Sequence, residues 1–381
     1  MSRIGIIDCD LLSKSNHRFP NLACMKISAY CKSKGAETHL IKSWDDSYID
    51  ECNKLFVSKV FTDTEISDSI LNRDNVVKGG TGFYFDKAKP LPDEIEHIMP
   101  DYTLYYDYIK QFKYSKKLRK QFEYYIDYSI GFTTRGCFRK CEFCVNKKYD
   151  HSFIHSNLKE FYDPSKKYIC LLDDNVLSNP NWKSIISELQ STNKPFQFKQ
   201  GLDERLLTEE KCEMLFNSKY HGDYIFAFDN IEDYDLIEQK LKLIRRYTDS
   251  ECIKFYVLVG YKSTGLQDIK DMFRRIELLF RYGCYPYIMR YQSQIDKPFM
   301  KSKYKGLYIN VARWCNQVNI VKRLSFKQFA EREQEYRNKT SNSLCSSYRA
   351  MVEFQKEYPK LAEKCFNLKF KRHICKEGKY G

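Results

Sequence analysis

The sequence predicts an α/β fold: an open parallel sheet, then a partial (β/α) barrel, then a helical tail. Three observations predict it. Short apolar runs alternate with helical stretches through most of the chain. A cysteine-rich loop directly follows one of those runs, at the end where parallel sheets carry their ligands. After about residue 300 the pattern turns mostly helical and basic. At 381 residues the chain has room for two or three units and a substantial core.

The elements follow in order. Residues 3–8 read as a buried strand and Asn21–Lys34 as a helix, with Leu22, Met25, Ile27 and Ala29 as apolar positions and Gly35 as its stop. Strands are expected at Glu37–Ile41, Lys54–Phe61 and Asn75–Val77, the last running into Gly79-Gly80-Thr81-Gly82. The segment from Asp86 to Pro100, with Pro90, Pro92 and Pro100, reads as a linker or strap. Residues 101–128 are rich in Tyr and Lys, including Lys110, Lys113, Lys116, Lys117, Arg119 and Lys120. They read either as a solvated helix face joining two domains or as a polyanion-facing surface with interleaved aromatics.

From Ser129 the alternation resumes. Strands are expected at Ile130–Thr133, Tyr168–Leu172, Phe196–Lys199, Tyr224–Phe228, Lys254–Val259 and Tyr285–Arg290. The clearest helix is Asp268–Tyr282, whose Ile269, Met272, Phe273, Ile276, Leu279 and Phe280 share one stripe before Gly283. Six strands separated by helices fit a partial (β/α) barrel. Helices are expected at Ser325–Tyr336 and Tyr348–Tyr358. Trp314, one of three tryptophans, is either a packing anchor or a stacking platform, and Arg313 beside it suits an anionic group.

Composition narrows the function classes. Hydrophobic residues make up 43% and charged residues 30%, as in soluble globular chains. No run approaches the roughly 18 apolar residues of a membrane span, and the first residues lack a signal peptide's cleavage site. A cytoplasmic location is expected. The formal charge of +14 suits a polyanionic partner, or reflects a compositional bias toward Lys, Asn, Ile and Tyr. Fifteen cysteines, an odd number at mostly irregular spacing, read as reduced thiols plus one metal site.

That site is the segment Gly131–Cys144. Cys137, Cys141 and Cys144 stand at C-x3-C-x2-C spacing immediately after a predicted strand. Thiolates are soft ligands for zinc or iron–sulfur clusters. Three on one short loop can hold three irons of a cubane, leaving the fourth iron without a protein ligand. A structural zinc takes four closed ligands, and the next donors, His151 and His155, follow Cys144 by 7 and 11 residues. Zinc, or three ordinary thiols, is the alternative.

The loop C-x3-C-x-aromatic-C, with Cys137, Cys141, Phe143 and Cys144, resembles the radical S-adenosylmethionine (SAM) superfamily. Asp173-Asp174-Asn175 stands where many members carry Gly-Gly-Glu for the SAM amino group, and with Phe198–Arg205 it looks like the branch with cobalamin-binding-type N-terminal domains and the methylthiotransferases. The resemblance covers about residues 129–300. It implies a four-iron four-sulfur cluster on Cys137, Cys141 and Cys144, and SAM contacts from the Phe143 backbone, Asp173, Asp174, Asn175, Gln200, Arg205 and the fifth-strand backbone at Gly260. For Gln200 and Arg205, ordinary strand-end polarity is the alternative. It implies a Rossmann-like domain over 1–100, a basic aromatic linker over 101–128, a partial (β/α)6 TIM-type barrel over 129–300 and a helical extension over 301–381. The cobalt-ligating Asp-x-His-x-x-Gly signature is absent, His17 and His39 having other neighbours, so cobalamin is not expected. Cys9, Cys24, Cys31 and Cys52, or Cys345, Cys365 and Cys375, would be the sources of a second cluster, but read better as isolated thiols.

The resemblance implies reductive cleavage of SAM and hydrogen abstraction from a substrate, with a flavodoxin or ferredoxin as electron donor. Three classes remain open for the target. A nucleic acid or nucleotide suits the basic charge; a small metabolite or peptide is the second; a non-catalytic iron–sulfur or zinc binding module is the third.

Overall fold

The computed structural model describes residues 2–14, 17–112, 116–146, 148–293 and 295–372. The expectations placed on Lys113 and Cys375, and on the side chains of Lys116 and Lys117, lie outside the described residues. The chain is a mixed α/β protein with parallel sheets, and it forms two compact units, Met1–Lys199 and Gln200–Gly381.

The first unit opens with β1 (Arg3–Asp8), α1 (Leu22–Ser33), β2 (Glu37–Leu40), β3 (Lys54–Ser58) and β4 (Val76–Gly79). All four strands are parallel, in the order β2-β1-β3-β4. Helix α1 starts where the Asn21 side chain accepts the Cys24 N–H at 3.2 Å, a side-chain cap. Strand β3 stops at Ser58, three residues short of the expected end. The Asp10 carboxylate takes the Val60 N–H at 2.7 Å and the Phe61 N–H at 3.4 Å, drawing them out of the ladder, and both side chains face solvent. The Gly79–Gly82 run is a tight turn. Gly80 has φ +104°, and a Cβ there would lie 2.2 Å from the Lys59 carbonyl oxygen, so only glycine fits.

The strap and the tyrosine-rich segment do more than connect. Lys26 on α1 is buried and donates to the Glu96 carboxylate at 2.7 Å. Tyr102, Leu104, Tyr105, Ile109, Phe122 and Tyr125 lie buried in the core beneath α1. Tyr102, Tyr105, Phe122 and Tyr125 are thus core residues, whereas Tyr106 is exposed. Tyr105 donates to Asp8 at 2.8 Å, at the end of β1, and Tyr102 accepts the Ile130 N–H at 2.9 Å.

Ile130 belongs to β5 (Tyr128–Gly131), which begins a second sheet. Then come the short pair β6 (Thr134–Arg135) and β7 (Phe153–Ile154), β8 (Tyr168–Leu171), α2 (Trp182–Ser191) and β9 (Phe196–Phe198). Strands β5-β8-β9 are parallel, and β6-β7 is antiparallel.

The second unit contains α3 (Glu209–Phe216), β10 (Tyr224–Ala227), α4 (Tyr234–Tyr247), β11 (Ile253–Val259), α5 (Leu266–Arg281) and β12 (Tyr285–Arg290). Strands β10-β11-β12 form a parallel sheet. Helix α5 buries its predicted stripe, at roughly 1.5–3 kcal/mol per large apolar side chain. Helices α6 (Lys305–Cys315), α7 (Phe326–Asn338), α8 (Ser346–Glu357) and α9 (Pro359–Phe366) complete it. Trp314 is fully buried and donates to the Leu324 carbonyl at 2.8 Å, so it is a packing anchor. Arg313 pairs with Glu333 at 2.7 Å. Among the described residues no helix is long and apolar enough to cross a membrane.

Candidate metal centre

The three cysteines lie on an excursion from the carboxyl end of β5. The antiparallel pair Thr134↔Ile154 and Arg135↔Phe153 closes its base. Gly136 opens the excursion with φ +87°, and a Cβ there would lie 2.2 Å from the His151 carbonyl oxygen. Glycine is therefore required immediately before Cys137.

Cys137, Cys141 and Cys144 are half-buried, whereas Cys9, Cys24, Cys31, Cys52, Cys170, Cys212, Cys284, Cys315 and Cys365 are buried. Burial pushes the thiols of Cys9 and Cys24 well up, as expected of small apolar core residues. Two of the loop thiols receive backbone N–H groups. The Arg139 N–H points to Cys137 Sγ at 3.4 Å and the Asn146 N–H to Cys144 Sγ at 3.3 Å. The Cys144 N–H closes a turn on the Cys141 carbonyl at 3.0 Å, carrying Phe143 in a half-buried position.

Asp173, Asp174 and Asn175 follow β8, and all three reach the loop. Asp173 is buried and accepts four hydrogen bonds: from the Thr133 and Thr134 N–H groups at 3.1 and 2.6 Å, and from their hydroxyls at 2.6 and 2.7 Å. Asp174 accepts the Gly136 N–H at 2.7 Å and the Asn146 side-chain amide at 2.5 Å. Asn175 donates from its amide to Cys137 Sγ at 3.3 Å. Burial raises the carboxyl pKa of both aspartates, and the donated hydrogen bonds act in the opposite direction.

Arg135, between Thr134 and Gly136, lies 3.5 Å from the centroid of the Phe132 ring and 3.7 Å from the Glu96 carboxylate. His155 faces the same carboxylate at 3.5 Å. Burial, then the neighbouring Arg135 charge, lower its pKa to about 4. His151 is exposed and pairs with Asp150 at 2.7 Å. Among the described residues, no three thiol, imidazole or carboxylate groups gather around a single-ion position.

The remaining predicted residues belong to the second unit. Gln200 begins it. Arg205 donates from Nε to Asp203 at 2.7 Å and faces Asp233 at 3.5 Å. Gly260 follows β11 with φ +71° and donates its N–H to Asp268 at 2.9 Å, where the Tyr308 hydroxyl also donates at 2.6 Å. Glu204 is buried, takes the Ala227 N–H at 3.1 Å, and burial pushes its pKa up to about 8.

The structure thus brings Cys137 together with Asn175, and both ends of the cysteine loop together with Asp174. Thr133, Thr134 and Asn146 had not been singled out from the sequence. Their signals were there: a tandem Thr at a strand end, and an Asn two residues after the last cysteine. No family model matches the chain, and no curated protein matches it.

Proposed function

We propose that the chain is a radical SAM enzyme whose target is a nucleic acid or nucleotide. One observation carries the reading. Three half-exposed thiols at C-x3-C-x2-C spacing share a loop beyond the carboxyl end of a parallel strand, with N–H groups aimed at Cys137 and Cys144. The donor chemistry fits a four-iron four-sulfur cluster: soft sulfurs, with hydrogen bonds to stabilise their charge. Cys137, Cys141 and Cys144 would hold it, leaving one iron for the amino and carboxylate groups of SAM. When bound, the pair supplies one-electron cleavage of a sulfonium carbon–sulfur bond.

The chain's own part is placement. Gly136 admits the sharp entry to Cys137, Asp173 fixes the two threonines ahead of it, and Arg135 brings a cation to the loop base. The finer fold belongs to the same proposal. The parallel order β2-β1-β3-β4 supports a Rossmann-like first domain. The strand–helix alternation within each unit supports a (β/α)6 TIM-type core over residues 129–300. The charge of +14 supports a polyanionic target. A cytoplasmic setting with a flavodoxin or ferredoxin donor suits the redox chemistry.

The test is anaerobic reconstitution with iron and sulfide, reduction with dithionite, addition of SAM, and chromatography of 5′-deoxyadenosine. Product from the wild type and none from Cys141→Ala is expected. A full iron load that never cleaves SAM, or zinc in protein isolated without air, overturns the reading. Salt-dependent tRNA or DNA binding at low ionic strength is expected for the nucleic-acid target. Its absence redirects the search to small metabolites and peptides.

A further inference from the structure

We propose that Asp174 and Asn175 are positioning residues of the cysteine loop: Asp174 pins its two ends, and Asn175 sets the charge on the Cys137 sulfur. The part assigned to Asn175 rests on the cluster reading above, whereas the part assigned to Asp174 does not.

The geometry divides the labour. One Asp174 oxygen holds the N–H of Gly136, just before the first cysteine, and the other holds the amide of Asn146, just after the last. A single carboxylate on the β8 end therefore staples entry and exit of the segment carrying all three thiols. An amide in its place has one acceptor oxygen, so it keeps one arm and loses the other. Asn175, one residue on, places a side-chain N–H 3.3 Å from Cys137 Sγ, where the backbone N–H of Arg139 also points. Hydrogen bonds to a ligating sulfur stabilise the more negative state and raise the reduction potential. The rigid strand end thus fixes the loop's shape and the electron density on one of its sulfurs together. These same side chains are turned toward the loop, which distinguishes this role from direct recognition of a small molecule.

The experiment uses the full chain as wild type, Asp174→Asn, Asn146→Ala, Asn175→Leu and Asn175→Asp. Amide hydrogen exchange across residues 136–146 is read on metal-free protein, and the midpoint potential is read on reconstituted protein without SAM. Asp174→Asn and Asn146→Ala should each speed exchange in the loop about tenfold while β8 is unchanged. Asn146 is exposed, so its variant tests the staple even where Asp174→Asn fails to fold. Both Asn175 variants should keep their iron and shift the potential negative, Asn175→Asp further because it adds charge at the same shape. Loop exchange and potential both unchanged, with weakened SAM binding, would show that the triplet touches SAM instead and would overturn the proposal. Wild-type protein that takes up no iron fails the cluster reading and the Asn175 assignment with it. The exchange arm still decides the staple.

Discussion

The strand ends of the two units use the same device for opposite purposes. In both, carboxylates accept backbone N–H groups where parallel strands run out: buried Asp173 and half-buried Asp174 in the first unit, buried Glu204 and half-buried Asp229 and Asp268 in the second. In the second unit the ends are closed over. Arg275 is buried and its Nη1 caps the carbonyls of Phe228, Asp229 and Leu258 at 3.0, 2.9 and 2.9 Å. In the first unit the carboxylates hold up a long excursion whose thiols stay half-exposed. Strand-end carboxylates are therefore common to both units and do not by themselves tell one from the other. What distinguishes the first unit is which groups those carboxylates leave facing outward.

The largest effect is expected from Cys137→Ala or Cys144→Ala. Either should abolish iron retention and 5′-deoxyadenosine formation while leaving the far-ultraviolet circular dichroism unchanged, because the thiols do not support the core. Next is Arg275→Met, which strands three carbonyls and should destabilise the second unit by about 3 kcal/mol, read by denaturant unfolding. A loss well below 1 kcal/mol would mean that water replaces the guanidinium.

Asp173→Asn comes third. It removes half the acceptor capacity facing Thr133 and Thr134 and should cost about 2 kcal/mol. Thr134→Val, which deletes one hydroxyl, should cost less.

The smallest effect is in pH dependence. Burial raises the pKa of Asp8 to about 7, of Asp229 to about 6 and of Glu204 to about 8. An acid whose folded pKa lies above its unfolded value binds its proton more tightly when folded, so stability falls as pH rises between the two. His155 acts in reverse: lowered to about 4 from its ordinary 6.5, it adds stability as pH rises across that interval. The two effects oppose each other below pH 6.5. Above it only these acids remain, and stability should fall by about 2–3 kcal/mol toward pH 8. Glu204→Gln should flatten most of that slope. An unchanged slope would place the titration in Asp8, hence in the first unit.

Much of this was legible in the residues. Observed strands β1, β8, β10, β11 and β12 fall within a residue of the runs expected for them, and α5 lies on its expected stripe, because apolar periodicity is a local property. The loop cysteines stood out because three thiols on one short loop are close in sequence. Chain alone determined the α/β alternation, the thiol triplet and the glycine ahead of it. Tertiary structure decided where Asp10 would end β3, that Tyr102, Tyr105 and Tyr125 would fill a core, and that Asp173, Asp174 and Asn175 would bond to residues 28 to 40 positions away. A carboxylate's partner is chosen by which N–H groups the folded backbone leaves unpaired beside it. Nothing in local sequence spacing carries that information.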